Sequence, residues 1–208
     1  MKYIFIFLLG VGVAYGQTIK HHAYTIHFNA KLKCPDSVTW NLGPQNICKL
    51  VPRKDKFAKD PLLPNGPKPS DFVQLPAYKN DKTVELAQGH LFSYEDAMCN
   101  AIDNTECFYV DQMYSQYQSM NAGDWKTVEV YERTLAAKGN IHVISGFIGI
   151  SQTLPTGIPI VSYMYKAIYS GGKWTAWIMP NLPTTKGHKY DYWEVPVKTL
   201  DSKTGLKL

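Results

Sequence analysis

The stretch from Leu86 to Arg133 begins with the sequence LAQGH at residues 86–90 and ends with MNAGDWKTVEVYER at residues 120–133. Apolar residues recur near a 3.6-residue period at the end of this stretch and just beyond it, which predicts an amphipathic helix over residues 124–138. Gly139 follows directly and is expected to end the helix in the left-handed conformation. The side chains expected on the buried face of the helix are Trp125, Val128, Leu135 and Ala136.

Short β-strand patterns surround the predicted helix on both sides. The sequence Ser170-Gly171-Gly172 separates two of them and is typical of the turn in a β-hairpin. Strands and helices do not alternate regularly, so the pattern favours an α+β fold with a mixed, mainly antiparallel sheet and one long helix. The predicted strands cover residues 24–28, 106–110, 140–149, 159–169, 173–179 and 192–197.

The composition is that of a globular chain with a mildly basic balance. The chain has 208 residues, of which 45% are hydrophobic and 13% aromatic. This length fits one domain, and the aromatic content favours a sheet-rich fold. The formal net charge of +5 indicates a mild preference for anionic partners. A basic secreted protein without such partners would have the same charge, so charge alone does not assign a function.

The N-terminal residues have the features of a signal peptide. Lys2 is followed by an apolar run over residues 3–13 that is too short to span a bilayer as a helix. Small residues at Ala14 and Gly16 form a cleavage site. We therefore predict a signal peptide at residues 1–16 and a secreted, extracellular protein. No later stretch is apolar for long enough to cross a membrane, so no membrane partner is expected.

A segment rich in proline and lysine follows in the mature chain. Residues 51–76 carry no helix or central-strand pattern, because proline interrupts both. We predict a surface arm here. The chain is accordingly divided into an N-terminal segment with this arm at residues 17–70 and a larger domain at residues 71–208, together forming one compact unit.

Two small groups of side chains in the N-terminal segment have alternative interpretations. Four cationic residues at the start of the arm could contact phosphates, although a solvated loop is the commoner explanation. A pair of adjacent histidines could bind a metal weakly, although such histidines are more often simply exposed. These residues are Arg53, Lys54, Lys56 and Lys59 in the arm, and His21 and His22 before it.

Four cysteines remain in the mature chain, and an even number in a secreted protein indicates disulfide bonds. Three pairings are possible. We expect the sequence-local pairing, Cys34–Cys48 and Cys99–Cys107, because each bond closes a short loop and contributes about 2–3 kcal/mol in the chain-entropy model. The spacing lacks the CxxC pairs that are typical of zinc sites.

His90, Asn121 and Glu129 have side chains that suit metal-assisted hydrolysis of a phosphodiester. A neutral histidine can deprotonate water, and a hard cation such as Mg²⁺ offsets the charge on the phosphate and stabilises the departing oxygen. Mg²⁺ prefers oxygen ligands and keeps several waters. In a continuous helix Asn121 and Glu129 would be separated by about 12 Å and about 80°, so they would not share a direct ligand sphere. Taken singly, the three residues fit equally well with a loop histidine, a capping asparagine and a solvated glutamate.

The spacing of these residues resembles that of the DNA/RNA non-specific endonuclease family of the ββα-metal type, which includes endonuclease G and secreted arthropod nucleases. The D-R-G-H motif of that family corresponds to residues 87–90, its N-x-x-P-Q motif to residues 112–116, and its N-x-G-x-W motif to residues 121–125. Glu129 and Arg133 stand where the family has a helix glutamate and an arginine. The resemblance covers roughly residues 71–197, and it implies a ββα-metal motif within the α+β fold.

The resemblance implies a role for each matching residue. His90 would be the general base, Asn121 the direct protein ligand of one Mg²⁺, for which Mn²⁺ could substitute, and Glu129 would position waters on the metal. Arg133 would contact the phosphate or the transition state. DNA and RNA would be cleaved without sequence preference, and the oligomeric state stays open. On the substrate side we expect Gln88, Gln112, Gln116 and Lys126, with a supporting role as the alternative for Gln116.

Three departures from the family pattern matter. The arginine before Gly-His is Gln88, the asparagine of the second motif is Gln112, and its proline is Ser115. Loss of one charged contact in a desolvated site can remove several kcal/mol of transition-state stabilisation. Two functions therefore stay open: a secreted Mg²⁺-dependent endonuclease weakened by the loss of this arginine, and a non-catalytic extracellular nucleic-acid-binding protein. A secreted structural protein is a third, which leaves the motif spacing unexplained.

Overall fold

The computed structural model describes residues 16–75 and 84–208. Residues 1–15 of the predicted signal peptide lie outside the described residues, so the peptide and its cleavage stay predictions. The arm predicted at residues 51–76 is described up to residue 75. None of the helices in the two described ranges is both long enough and apolar enough to cross a membrane.

The strands of the described ranges form one large sheet and one small sheet. In chain order they are β1 (Gln17–Lys20), β2 (Tyr24–Asn29), β3 (Cys34–Leu42), β4 (Leu86–His90), β5 (Met113–Tyr117), β6 (Ile141–Thr153), β7 (Pro159–Ser170), β8 (Lys173–Pro180) and β9 (Glu194–Val195). The large sheet has the order β1-β2-β3-β6-β7-β8-β9, and β4 pairs with β5. All of these pairs are antiparallel, which confirms the mainly antiparallel sheet predicted from the sequence.

Helical segments complete the α+β architecture. They are α1 (Ala101–Glu106), α2 (Gln118–Met120), α3 (Lys126–Ala136) and α4 (Val197–Thr204), and a π turn over Asn121–Trp125 joins α2 to α3. The predicted long helix is confirmed as α3. Its predicted buried face is also confirmed, because Trp125, Val128 and Ala136 are fully buried and Leu135 packs against the same core. The left-handed stop expected at Gly139 is wrong, since α3 ends with Ala137 in the right-handed region and Gly139 has no positive φ.

Alternate side chains of β7 face two different cores, as the two-residue period of a strand requires. Met164 and Ile168 belong to the large core on the side of α3. Tyr165 and Ala167 belong to a smaller core on the opposite face, where Leu200 of α4 packs against them. The large sheet is therefore covered on both faces, and α3 carries its residues towards one of them.

The β-hairpin predicted around residues 170–172 is confirmed. Ser170 pairs with Lys173 at the end of the β7–β8 ladder. Gly171 has φ 59° and Gly172 has φ 84°. Two consecutive positive φ angles are the geometry of a tight hairpin turn that glycine adopts without steric cost.

Two of the predicted strands are wrong in whole or in part. The strand predicted at residues 106–110 is instead the end of α1 and a turn, because the Asn100 side chain caps a helix by accepting from the N–H of Ile102 at 2.7 Å. At residues 192–197 only β9 is a strand. The chain then turns at Pro196 into α4, which ends at Gly205 in the left-handed conformation.

The predicted disulfide pairing is wrong. The disulfide joins Cys48 to Cys99, and Cys34 and Cys107 are buried free thiols. Cys34 lies in the core on β3, whereas the loop that carries Cys48 docks elsewhere, with the N–H groups of its following residues on the carbonyl of Met98. The bond spans a sequence separation of 51 residues. In the chain-entropy model such a loop contributes about 4 kcal/mol.

The N-terminal segment supplies three strands to the large sheet. β3 pairs with β6 along six residue pairs, from Ser37 opposite Gly146 to Leu42 opposite Ile141. The arm then crosses towards the small sheet and forms a parallel bridge between Ala58 and Tyr109. The arm is thereby fixed beside β4 and β5, where the predicted site residues are concentrated.

Candidate active site

A cleft of about 520 Å³ lies between the arm, β4 and the start of α3. β4 contributes residues along most of its length, and the π turn and the first turn of α3 contribute two residues each. Five of the eight residues predicted for the site line this cleft, and the other three do not. The five are Gln88, His90, Asn121, Lys126 and Glu129.

His90 lies at the end of β4 between two aromatic side chains. Its ring centroid is 5.6 Å from that of Phe57 and 5.4 Å from that of Phe108. Burial, followed by the charge of Arg53, lowers the pKa of His90 to about 3, so the imidazole is neutral at physiological pH. Its buried Nε2 has no hydrogen-bond partner among the described residues. His90 is therefore neutral and has a free ring nitrogen.

Gln112 holds the backbone that follows His90. Its Oε1 accepts from the N–H groups of Leu91 at 3.0 Å and Phe92 at 2.9 Å. Its Nε2 donates to the carbonyls of Cys107 at 2.6 Å and Phe92 at 3.2 Å. The side chain is completely buried by these contacts. The prediction of Gln112 as a substrate-binding residue is therefore wrong, because all of its polar atoms serve the loop after His90.

Gln116 lies in β5, and its side chain packs in the protein interior behind the small sheet. It is fully buried opposite Ala87 in the β4–β5 ladder, and its amide contacts the sulfur atoms of Met120 and Met164. A Cβ atom added to Gly89 would lie 1.4 Å from its Oε1. A glycine is thus required before His90 to make room for Gln116. The predicted contact of Gln116 with substrate is wrong, whereas the alternative of a supporting group agrees with these contacts.

The π turn positions Asn121 at the cleft. Within this turn Gly123 has φ −99° and ψ −112°, outside the helical region, and the residue that packs against it is Lys186. Asp124 anchors the turn, since its carboxylate accepts from the backbone N–H of His188 at 2.9 Å and from Trp193 Nε1 at 2.8 Å. The wide turn interrupts the continuous helical phase that would separate Asn121 from Glu129 by about 80°. Both side chains accordingly line one cleft.

Glu129 is buried at the base of the cleft. Burial is the main cause that raises its pKa to about 8; the positive charge of Lys166 acts in the opposite direction. Lys166 is itself fully buried and paired with Glu132 at 2.5 Å. The second carboxylate oxygen of Glu132 accepts from Trp40 Nε1 at 2.8 Å. A buried ion pair between α3 and β7, joined by a hydrogen bond from Trp40 of β3, thus supports the wall that carries Glu129.

Arg133 lies in an adjoining cavity that shares Lys126 with the main cleft. Its guanidinium donates to Ser93 Oγ and to Asp96 Oδ1, both at 3.2 Å. Burial raises the pKa of Asp96 to about 7. Arg133 is therefore hydrogen-bonded to protein groups beside the cleft. It does not line the cleft with His90, where a contact with the phosphate was expected.

Arg53 is a cleft residue that the motif comparison missed. Its guanidinium lies over the ring of Tyr94, 4.8 Å from the centroid, and pairs with Asp55. Gln88, which stands where the family has arginine, donates instead to the carbonyl of Pro69 at 3.2 Å. The cluster of basic residues in the arm was the available sequence signal for Arg53. The sequence did not indicate which member of that cluster reaches the cleft.

The donor set of the cleft fits a hard dication. The side chain of Asn121 makes no hydrogen bond to the described residues, so its amide oxygen is free to serve as a ligand. Glu129 adds a buried carboxylate whose ionisation a nearby cation would favour. One amide oxygen and one carboxylate suit Mg²⁺, which binds through few protein groups and retains waters. Asn121 would hold the ion directly, and Glu129 would position waters on it.

Comparison with known proteins relates both the fold and the sequence to nucleases. A family model of DNA/RNA non-specific endonucleases matches residues 7–208. The Danio rerio protein named Nuclease EXOG, mitochondrial, is 26% identical over 210 residues, which cover 88% of this chain and 59% of that protein. This chain therefore spans 59% of the length of that relative. A chain in the crystal structure of the EndoG/EndoGI complex has a TM-score of 0.74 at 20% identity, covering 92% of this chain and 84% of that chain, and shares its fold.

The family match extends well beyond the region of motif resemblance at residues 71–197 and includes the strands of the N-terminal segment. The resemblance inferred from the spacing of the motifs is thereby confirmed. The chain belongs to the DNA/RNA non-specific endonuclease family.

Proposed function

We propose that this protein is a secreted endonuclease that hydrolyses phosphodiester bonds of DNA and RNA, with His90 as general base and one Mg²⁺ held by Asn121. The observation that carries the proposal is the convergence of His90, Asn121 and Glu129 on one cleft from three separate elements. A neutral imidazole, an oxygen ligand and a buried carboxylate are the groups that this chemistry requires. The family of the chain supports the same reaction type.

His90 performs the proton transfer in this proposal. Its Nε2 takes a proton from the attacking water as the water oxygen forms a bond to phosphorus. The aromatic rings of Phe57 and Phe108 hold the imidazole in place and keep it neutral through burial. Gln112 fixes the backbone of the next two residues, so the ring approaches the substrate from a rigid support.

Arg53 supplies the positive charge that Gln88 lacks. The guanidinium lines the same cleft, and its charge contributes to the lowered pKa of His90, while the charge of its partner Asp55 acts in the opposite direction. A cation that lines the cleft also offsets the charge that builds up on a phosphate in the transition state. Mg²⁺, when bound, supplies further charge stabilisation and assists departure of the leaving oxygen. Lys126, which is exposed at the rim, is placed to contact a neighbouring phosphate.

Recognition through phosphates explains cleavage without sequence preference, because phosphate contacts carry no information about the bases. Secretion rests on the signal-peptide features of residues 1–16, and the mitochondrial location in the name of the relative is said of that protein alone. Expression of the full chain in animal cells tests secretion. Recovery of a product that begins at Gln17 from the medium would support it, and retention of all product inside the cells would contradict it.

A cleavage assay tests the catalytic proposal. Purified protein is incubated with plasmid DNA and with single-stranded RNA, with Mg²⁺, with Mn²⁺ or with EDTA. We expect EDTA-sensitive cleavage of both substrates, lost in His90→Ala and in Asn121→Ala. His27→Ala, which changes an exposed histidine in β2, serves as the matched control and should leave the rate unchanged.

The same assay separates the proposal from a non-catalytic nucleic-acid-binding protein. The observation that favours this second function is the amide of Gln88 bound to Pro69, in place of a free arginine. Salt-sensitive binding of DNA and RNA without cleavage above that of His90→Ala would overturn the nuclease and support the binding protein.

A further inference from the structure

Three side chains from distant parts of the chain meet outside the cleft. His21 lies in the turn between β1 and β2, Asp60 lies in the arm, and Asp111 lies in the turn before β5. One ligand atom from each residue can be chosen so that all three lie within 4.8 Å of one another. His21 Nε2 is 3.1 Å from Asp60 Oδ2. The side chain of His21 is completely buried, and both carboxylates are 1% exposed.

Asp111 is the residue that indicates a missing partner. Both carboxylate oxygens are buried and neither makes a hydrogen bond of full geometry within the described residues; the nearby backbone N–H groups of Asp111 and Gln112 only partly oppose the effect of burial on its pKa. A buried carboxylate without a donor is strongly unfavourable, so it must either take up a proton or face a cation. Burial, and then the adjacent Asp60, raise the pKa of Asp111 to about 9. A proton shared between the two carboxyl groups is therefore the alternative to a bound cation.

We propose that His21, Asp60 and Asp111 bind one divalent transition-metal cation, Zn²⁺ or Mn²⁺, at a site separate from the cleft. One imidazole nitrogen with two carboxylate oxygens is a set of ligands that such cations accept. Mg²⁺ and Ca²⁺ favour sites made only of oxygen ligands, so they should bind here more weakly. Three protein ligands leave a coordination position for water.

The proposed cation would link the β1–β2 turn, the arm and the turn before β5 to one another. The arm that carries Asp60 also carries Arg53, and its bridge between Ala58 and Tyr109 lies beside the site. Asp111 immediately precedes Gln112, which holds the backbone after His90. Because a ligand that binds only the folded state stabilises that state, the cation should raise the unfolding temperature of the whole chain.

Thermal unfolding in an Asn121→Ala background tests this site apart from the catalytic one. The protein is freed of metal with EDTA, dialysed, and titrated with ZnCl₂, MnCl₂ or MgCl₂. We expect Tm to rise in a saturable manner with Zn²⁺ or Mn²⁺ and not with Mg²⁺ at the same concentrations. Adding His21→Asn or Asp111→Asn should remove the rise and weaken binding measured by calorimetry by more than about tenfold.

His22→Asn is the matched control, because His22 is adjacent in sequence but is half exposed and bound to Asp103. It should leave the Tm response to the metal unchanged. His21→Asn keeps both carboxyl groups and remains informative if Asp111→Asn does not fold. Absence of any Tm rise with Zn²⁺ and Mn²⁺ would overturn the proposal in favour of a shared proton. An equal response in His21→Asn and His22→Asn would overturn it in favour of adventitious binding.

Discussion

The positive charge that the family arginine would bring to the cleft is absent at Gln88, and Arg53 brings a positive charge to the cleft from another part of the chain. Gln88 has the sequence position of the family arginine, but its amide is bound to the arm. Arg53 comes from that arm, lines the cleft and acts electrostatically on His90. The arm therefore has two contacts with this region. Its Arg53 brings a positive charge to the cleft, and its Pro69 carbonyl accepts a hydrogen bond from Gln88, which stands at the position of the family arginine.

Replacing Arg53 by alanine should lower kcat/KM for plasmid cleavage by about 10-fold, because a partly exposed positive charge that lines the cleft is lost. Steady-state kinetics on a defined oligonucleotide measures the effect. Lys54→Ala, which changes a neighbouring exposed cation outside the cleft, is the control and should change the rate less than about threefold. Introducing Gln88→Arg into the Arg53→Ala variant should restore part of the rate. Equal rates for the two single variants would show that Arg53 has no part in the reaction.

The buried carboxyl group of Glu129 should make the folded protein less stable as pH rises. Its pKa is about 8 in the folded chain and 4.5 for an ordinary glutamate, so between these values the folded state retains a proton that the unfolded state has released. Wild-type stability therefore falls as pH rises from about 4.5 to 8, and Glu129→Gln escapes this loss. In EDTA, urea unfolding should show the variant more stable than wild type by at least about 1 kcal/mol at pH 8, with no difference near pH 4.5. Glu85→Gln, at an exposed position, should show no such divergence.

At the scale of elements, the β4–β5 pair and the π turn determine where the cleft residues point. The small sheet requires a glycine before His90 because Gln116 occupies the space that a Cβ atom would take. The π turn is held by Asp124 through contacts with the segment after β8, at His188 and Trp193. Each element thus depends on a neighbour that is remote in sequence.

Gly89→Ala should destabilise the protein by about 1–3 kcal/mol, because the added methyl group overlaps Gln116 and forces it to move. Denaturant unfolding measures the change. Gly139→Ala is the matched substitution, since a Cβ there meets nothing within 4 Å, and it should be neutral or slightly stabilising. A Gly89→Ala/Gln116→Ala double variant should recover part of the lost stability. Strict additivity of the two changes would contradict the contact.

At the scale of the whole molecule, one antiparallel sheet joins the N-terminal segment to the rest of the chain. β3 pairs with β6 in the middle of the sheet, and the two faces are covered by different helices. The loop that carries Cys48 is linked through the disulfide to Cys99, which lies between β4 and α1. The disulfide therefore closes a long loop that contains the arm and β4.

Peptide mapping under non-reducing conditions should find Cys48 linked to Cys99 and two cysteines that alkylate only after unfolding. Reduction, or Cys48→Ser with Cys99→Ser, should lower the free energy of unfolding by about 2–4 kcal/mol. Cys34→Ala provides a comparison in which a core thiol is changed and the disulfide stays intact. Recovery of a Cys34–Cys48 peptide would reject the pairing in the structure.

The features that could be predicted from the sequence are those that depend on residues close together in the chain. The period of the α3 residues, the two glycines of the β7–β8 turn and the spacing from His90 to Glu129 are each properties of a continuous stretch. The pairing of the cysteines and the inward direction of Gln112 are not, because they depend on which distant segments pack together.

The sequence by itself determined the family pattern, the main helix and the three residues that converge on the cleft. Tertiary packing alone decided that Arg53 lines the cleft, that Gln112 and Gln116 face the protein interior, and that Asp111 meets His21 and Asp60. The physical reason is that periodicity and turn geometry act over a few residues, whereas burial and charge depend on every segment that surrounds a side chain.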